Sequence, residues 1–156
     1  MKIDVIKNNL KIIERKRQIL EDTVRKYDKI IILGNGGSNS IASHISQDYT
    51  KVLRKKSFTF SDPSRLTCYI NDYGMENAYY KFLEDFADCD TLVILISSSG
   101  NSENIVNAAS FCLNSGISIA TLSGFDKANK LNSFNTLFNY WVDSKNYGEV
   151  ECCHML

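Results

Sequence analysis

The sequence predicts an α/β domain built on a doubly wound parallel sheet flanked by helices, a flavodoxin-like three-layer sandwich. Three observations lead there. Short apolar runs alternate with stretches of helical period along the 156 residues. Two of the runs, Ile30 to Leu33 and Leu92 to Ile96, each stop at a small, hydroxyl-rich turn that opens a helix. A single proline leaves little room for a flexible linker, so the chain divides only into an N-terminal helix, 1–27, and one domain, 28–156.

The elements follow in order. From Ile3 to Tyr27, the apolar positions Ile6, Leu10, Ile13, Leu20 and Val24 step by threes and fours, interrupted at Arg17, which predicts a long amphipathic helix with a heptad-like seam. Periodicity leaves open whether that seam faces the core or a second copy of the chain. Lys29 to Leu33 is the first strand, and a helix follows from about Ser38 to Thr50. Ser57 to Phe60 is the second strand, and Asp62-Pro63 caps a helix starting near Ser64. Asn71-Asp72-Tyr73-Gly74 reads as a turn before a helix around Glu76 to Phe86. Thr91 to Ile96 is the most apolar strand, as expected at the centre of a parallel sheet. A helix runs from Ser102 to about Asn114 and stops at Gly116. Ile117 to Leu122 and Leu137 to Val142 supply two more strands, and Val150 to Leu156 begins a final helix.

The two turns carry the chemistry. Glycines in Gly34-Asn35-Gly36-Gly37-Ser38 let the backbone approach an anion, while the helix dipole behind the turn favours negative charge. Position 39 is Asn, so the third glycine of a dinucleotide fingerprint is missing, and there is no Gly-Lys-Ser/Thr of a P-loop. Ser97-Ser98-Ser99-Gly100-Asn101-Ser102 offers four hydroxyls without a lysine. Hydroxyls and amides without a fixed cation suit a phosphate monoester on a sugar. Taken alone, each turn has a plainer reading, a hairpin turn for the first and a helix cap for the second. Their pairing at matching strand ends favours a ligand.

Eighteen basic and eighteen acidic side chains balance, which argues against nucleic-acid or membrane partners. The basic patches Lys11 to Arg17 and Arg54-Lys55-Lys56 read as solvated faces. No run approaches the roughly 20 apolar residues of a membrane span, and no signal-peptide region is evident, so a cytoplasmic protein is expected. The five cysteines show no C-x-x-C spacing and read as reduced thiols. Cys152-Cys153-His154 hints at a metal, although adjacent cysteines rarely close on one zinc.

On the helix after the glycine turn, His44 and Asp48 stand at i and i+4 and share a face that borders Ile41, Ile45 and Tyr49. Partial desolvation of both groups is expected from that neighbourhood.

The four ordered motifs Gly34 to Ser38, Asn71 to Gly74, Ile96 to Ser102 and Thr121-Leu122-Ser123-Gly124 resemble the sugar isomerase (SIS) domain family, and within it the phosphoheptose isomerases. The resemblance implies an aldose–ketose isomerase acting on sedoheptulose 7-phosphate through an enediol, for surface polysaccharide synthesis, and a homotetramer with sites at subunit boundaries. It implies that Ser97, Ser98, Ser99 and Ser102 hold phosphate. It further implies that Asn35, Ser38 and Asp72, beside Gly36 and Gly37, contact the sugar. His44 matches a family histidine, Asp48 stands where the family carries a glutamate base, and Glu151 falls on a polar pocket position. No cofactor is required, although some members bind zinc through residues matching His44, Asp48 and Glu151.

Two departures stand out. Asp48 is one methylene shorter than glutamate, and a reach error on the order of 1 Å can cost about 100-fold in rate. The family's second catalytic histidine lies further along the last helix than Leu156, so His154 is the remaining candidate for an acid. Either His154 has taken that role in a shortened final helix, or the chain is a noncatalytic SIS-domain sensor or regulator that binds sugar phosphates. A nucleotide-binding α/β protein is a more distant third reading, since both glycine fingerprints fail.

Overall fold

The computed structural model describes residues 2–156. Its elements are α1 (Ile3–Arg25), β1 (Lys29–Gly34), α2 (Gly37–Lys51), β2 (Lys56–Thr59), α3 (Pro63–Tyr73), α4 (Ala78–Phe86), β3 (Thr91–Ser97), α5 (Glu103–Asn114), β4 (Ser118–Ser123), β5 (Phe138–Trp141) and α6 (Tyr147–Met155), with a short 3-10 turn at Leu131–Ser133. All strand pairs are parallel, in the order β2-β1-β3-β4-β5. The strand order reverses between β1 and β3, and ligands of open α/β sheets bind at that reversal, beyond the carboxyl ends of the strands.

Strand alternation sorts the core into two layers. Ile31, Leu33, Val93, Leu95 and Ile119 face α4 and α5 residues such as Phe82, Ile105 and Ala109. Ile30, Ile32, Leu92, Ile94, Ile96 and Ala120 face the opposite side, toward Val24, Ile41 and Cys153. β3 is buried along its whole length, which is why it reads as an unbroken apolar run. Phe60 stacks on Phe82 at 4.3 Å between centroids and meets Tyr79 edge-on at 5.5 Å. The Tyr79 hydroxyl donates to the Gly34 carbonyl at 2.8 Å, tying the aromatic cluster to the start of the glycine turn.

α1 is the long N-terminal helix expected, and part of its seam faces the core. Val24 is buried and Ile6, Ile13 and Leu20 pack on the core, whereas Ile3, Leu10, Ile12 and Ile19 are exposed. Tyr140 of β5 donates its hydroxyl to the buried Asn9 at 2.9 Å, which fixes α1 across the sheet.

Asp62 accepts from the Arg65 amide at 2.8 Å, so the cap at the start of α3 is where the sequence places it. The turn expected at Asn71 to Gly74 is corrected. α3 continues through Asp72 to Tyr73, and Gly74, at φ +79°, supplies the left-handed residue that ends it. α4 accordingly starts at Ala78, two residues later than expected. Among the described residues, no helix is long and apolar enough to cross a membrane.

Candidate functional site

The two turns leave adjacent strands at the β1/β3 reversal and face each other across a polar pocket of about 270 Å³. Asn35, Gly36, Gly37 and Ser38 form one wall, and Ser97, Ser98, Ser99 and Ser102 form the other. Neither N-cap residue, Gly36 of α2 or Ser102 of α5, caps its helix with a side chain. Both helices therefore present their positive ends to the pocket. Gly36 holds φ +53°, a conformation that side-chain-bearing residues rarely adopt, and it turns the chain directly into α2.

The serine turn is held from within and from below. The Ser97 and Ser102 hydroxyls are 3.0 Å apart, and Ser99 Oγ accepts from the Asn101 amide at 3.2 Å. Ser98 Oγ is buried with no hydrogen-bond partner among the described residues. A buried hydroxyl without a partner is costly. Under the turn, the Asn129 amide donates to the Gly124 carbonyl at 3.1 Å and the Asp126 carbonyl at 2.6 Å.

Asn104 is a site residue that the sequence reading missed. Its amide and that of Asn35 exchange two hydrogen bonds of 2.9 Å, and Asn104 is 4% exposed. This reciprocal pair ties the glycine turn to the first turn of α5. It uses one N–H and one carbonyl lone pair of Asn35, whose side chain keeps a second N–H beside the pocket.

The third wall is α6, where Tyr147 and Glu151 stand one helical turn apart and both line the pocket. A Cβ on Gly37 would fall 2.4 Å from a Glu151 carboxylate oxygen, so the glycine is what admits this carboxylate. Asn146 caps α6, accepting from the Glu149 amide at 3.1 Å. The buried Glu149 carboxylate accepts from Ser144 Oγ at 2.6 Å and from the Lys2 amide at 2.5 Å. These bonds, the serine hydroxyl first, hold its carboxyl below the usual carboxylate range.

The remaining expected residues lie elsewhere. Asp72 is exposed on the last turn of α3, where it accepts from Cys68 Sγ at 3.5 Å, and it does not line the pocket. His44 and Asp48 do pair, at 3.5 Å, but their side chains are 63% and 56% exposed. At that exposure the pair is not desolvated within this chain by itself, a correction to the expectation. Ten residues separate Ser38 from Asp48, about 15 Å along α2 at 1.5 Å per residue.

Asp48 and His154 instead line a second, apolar cavity of about 230 Å³ between α1, α2, α6 and the sheet. His154 is 3% exposed, and its Nε2 lies 3.1 Å from the Ser123 carbonyl. A carbonyl only accepts, which places the proton on Nε2. Burial lowers the pKa of this imidazole to about 4. The expectation that His154 serves as an acid is corrected: its one proton is committed to backbone, and the ring stays neutral at physiological pH. Spacing alone shows nothing of that burial.

Glu151 sits in the polar pocket while His44 and Asp48 do not, so the residues matched to zinc are divided within one copy. Among the described residues, no three His, Cys, Asp or Glu side chains group closely enough to hold a metal ion.

Comparison with known proteins agrees with this architecture. A family model described as the SIS domain matches residues 2–124. The phosphoheptose isomerase of Fusobacterium nucleatum is 33% identical over 148 residues, covering 92% of this chain and 75% of that one. That of Glaesserella parasuis serovar 5 is 32% identical over 124 residues, and the match covers 76% of this chain and 65% of the relative, just under two thirds of its length. The structure of phosphoheptose isomerase GmhA from Neisseria gonorrhoeae superposes with a TM-score of 0.88 at 22% identity, covering 98% of this chain and 86% of that one. The Vibrio vulnificus NanR protein complexed with ManNAc-6P superposes at 0.67 with 16% identity, over 99% of this chain and 54% of NanR. By the family match and these sequence relatives together, the chain belongs to the SIS domain family, beside the phosphoheptose isomerases.

Proposed function

We propose that this chain is a phosphosugar isomerase, interconverting sedoheptulose 7-phosphate and D-glycero-D-manno-heptose 7-phosphate in the cytoplasm for surface polysaccharide synthesis. One observation carries the reading: two helix N-termini whose N-cap residues make no side-chain cap converge on a pocket lined by the glycine turn and four serines. Relatives 32% and 33% identical that bear the name phosphoheptose isomerase support the choice of sugar.

In this reading the phosphate rests on Ser97, Ser98, Ser99 and Ser102 and on the amides that open α2 and α5. Glu151 sits opposite as an acceptor for sugar hydroxyls and excludes a second anion. The reaction moves one proton from C1 of the ketose to C2 and a second between the two oxygens, through an enediol, with no net change in protons or electrons. A carboxylate base near C1 and C2 is required. Asp48 fills that role from a second copy of the chain, since its position far along α2 points it away from its own pocket. The exposed Ile3, Leu10, Ile12 and Ile19 of α1 supply apolar surface for the assembly, a tetramer in this reading. No step is routed through zinc.

The test is conversion of sedoheptulose 7-phosphate followed by phosphorus NMR, with two inactive variants. Ser98→Ala and Asp48→Asn each abolish turnover alone, and mixing them restores part of it, because some mixed interfaces pair an intact pocket with an intact base. Absence of conversion by the unsubstituted chain contradicts the isomerase reading. Activity in Asp48→Asn alone removes Asp48 as the base. A binding-only role is the second reading, favoured by the exposure of His44 and Asp48 and by the commitment of His154 to Ser123. It is supported if the sugar phosphate binds and no conversion follows.

A further inference from the structure

Ile96 and Tyr147 are the two apolar contributions to a pocket otherwise built of glycine, hydroxyls, an amide and a carboxylate. Ile96 lies fully buried in β3, whereas Tyr147 is 60% exposed at the first turn of α6. Exposure of so large a ring at a pocket edge is the kind of surface that a ligand covers.

The ring is held in place. Phe125 meets it edge-on, with centroids 4.8 Å apart and planes at 72°. Phe125 in turn has φ +57°, rare for a residue with a side chain, and its amide donates to the Ser144 carbonyl at 3.0 Å. A strained backbone that persists is over-determined by its surroundings, and here the outcome is an aromatic pair at the mouth of the pocket. Gly124, one residue earlier, presses on α6 as well: a Cβ there would lie 2.7 Å from both methyls of Val150. The β4–α6 contact thus fixes the helix that carries Tyr147.

Resting on the sugar-phosphate reading of the pocket, we propose that Tyr147 is a specificity-determining residue whose ring covers the C–H face of the bound sugar. The serine turn recognises any phosphate. A free phosphate anchored there makes no use of the ring, whereas a phosphosugar lays its carbon chain along the α6 wall, where Tyr147 supplies apolar contact and Glu151 accepts hydroxyls. Tyr147 therefore separates phosphosugars from inorganic phosphate and from small phosphate esters.

Calorimetric titration of the full chain with inorganic phosphate and with sedoheptulose 7-phosphate tests this, using Tyr147→Phe and Tyr147→Ala. Losing one aromatic contact corresponds to a weakening of about fivefold. The expected result is that Tyr147→Ala weakens the sugar phosphate by that factor and leaves inorganic phosphate unchanged, while Tyr147→Phe binds both like the parent. Unchanged sugar-phosphate affinity in Tyr147→Ala overturns the proposal. Equal loss for both ligands also overturns it, since the ring would then act through the phosphate cradle. If the unsubstituted chain binds neither ligand, the reading of the pocket itself falls and the proposal with it, a failure visible before any substitution is made.

Discussion

Gly100 sits in the middle of the serine turn, and replacing it with alanine should nearly unfold the protein. The residue holds φ +65°, and a Cβ there would fall 1.9 Å from Asn129 Oδ1 and 2.1 Å from Asn129 Cγ. Asn129 cannot swing aside cheaply: it is 2% exposed, its amide nitrogen donates to two backbone carbonyls, and its Oδ1 accepts from the Asn132 amide at 2.8 Å. Left-handed strain on a non-glycine residue costs about 1–2 kcal/mol. Overpacking adds about 1–3 kcal/mol, and the displaced amide forfeits about 1–3 kcal/mol in buried hydrogen bonds. The sum, roughly 3–8 kcal/mol, is a large share of the 5–15 kcal/mol typical of a domain. Urea denaturation of Gly100→Ala with and without Asn129→Ala measures it. Beside Asn129→Ala the contacts with Oδ1 and Cγ are gone and only the Cβ contact at 2.8 Å remains, so Gly100→Ala should cost mainly the strain, about 1–2 kcal/mol, and the two positions couple by about 2–6 kcal/mol. A loss under about 1 kcal/mol for Gly100→Ala, or the same loss in both backgrounds, would refute the claim that Asn129 props up the serine turn.

Three further outcomes are expected. The His154 pKa is depressed to about 4 in the folded chain, below the ordinary value near 6.5. The unfolded state therefore binds the extra proton between those values, so stability is fully present above about pH 6.5 and falls by roughly 1.4 kcal/mol per pH unit as pH drops toward 4. Urea midpoints at pH 7 and pH 5 read that slope, and His154→Gln should flatten it. Asn104→Ala strands the Asn35 amide and should cost about 1–3 kcal/mol while weakening phosphate binding, seen by denaturation and titration together; unchanged phosphate affinity would separate the amide pair from the site. Phe60→Ala removes a ring that is 1% exposed and should cost about 3–5 kcal/mol by denaturation without altering ligand contacts.

The apolar runs made the sheet legible because parallel strands are buried on both faces, and β3 shows this along its full length. The two turns were legible because glycine and serine at strand ends have few other uses in combination. Asn71 to Gly74 misled because Asn, Asp and Gly favour turns locally, whereas here Gly74 alone ends a helix that runs through the others. Asn104 and Tyr147 left no signal, since Asn104 pairs with a residue 69 positions away and Tyr147 reaches the pocket edge only through the packing of α6 beside Phe125. His154 shows the same limit from the other side: a histidine beside a pocket motif reads as chemistry, and only packing reveals that its proton belongs to Ser123.

The most direct test of the central claim is proton NMR of sedoheptulose 7-phosphate with the chain in heavy water, following aldose formation and deuterium entry at C1 and C2 together. The account predicts aldose product carrying deuterium at C2, with both signals lost in Asp48→Asn. A folded, phosphate-binding protein that leaves the C1 protons unexchanged and forms no aldose would contradict it.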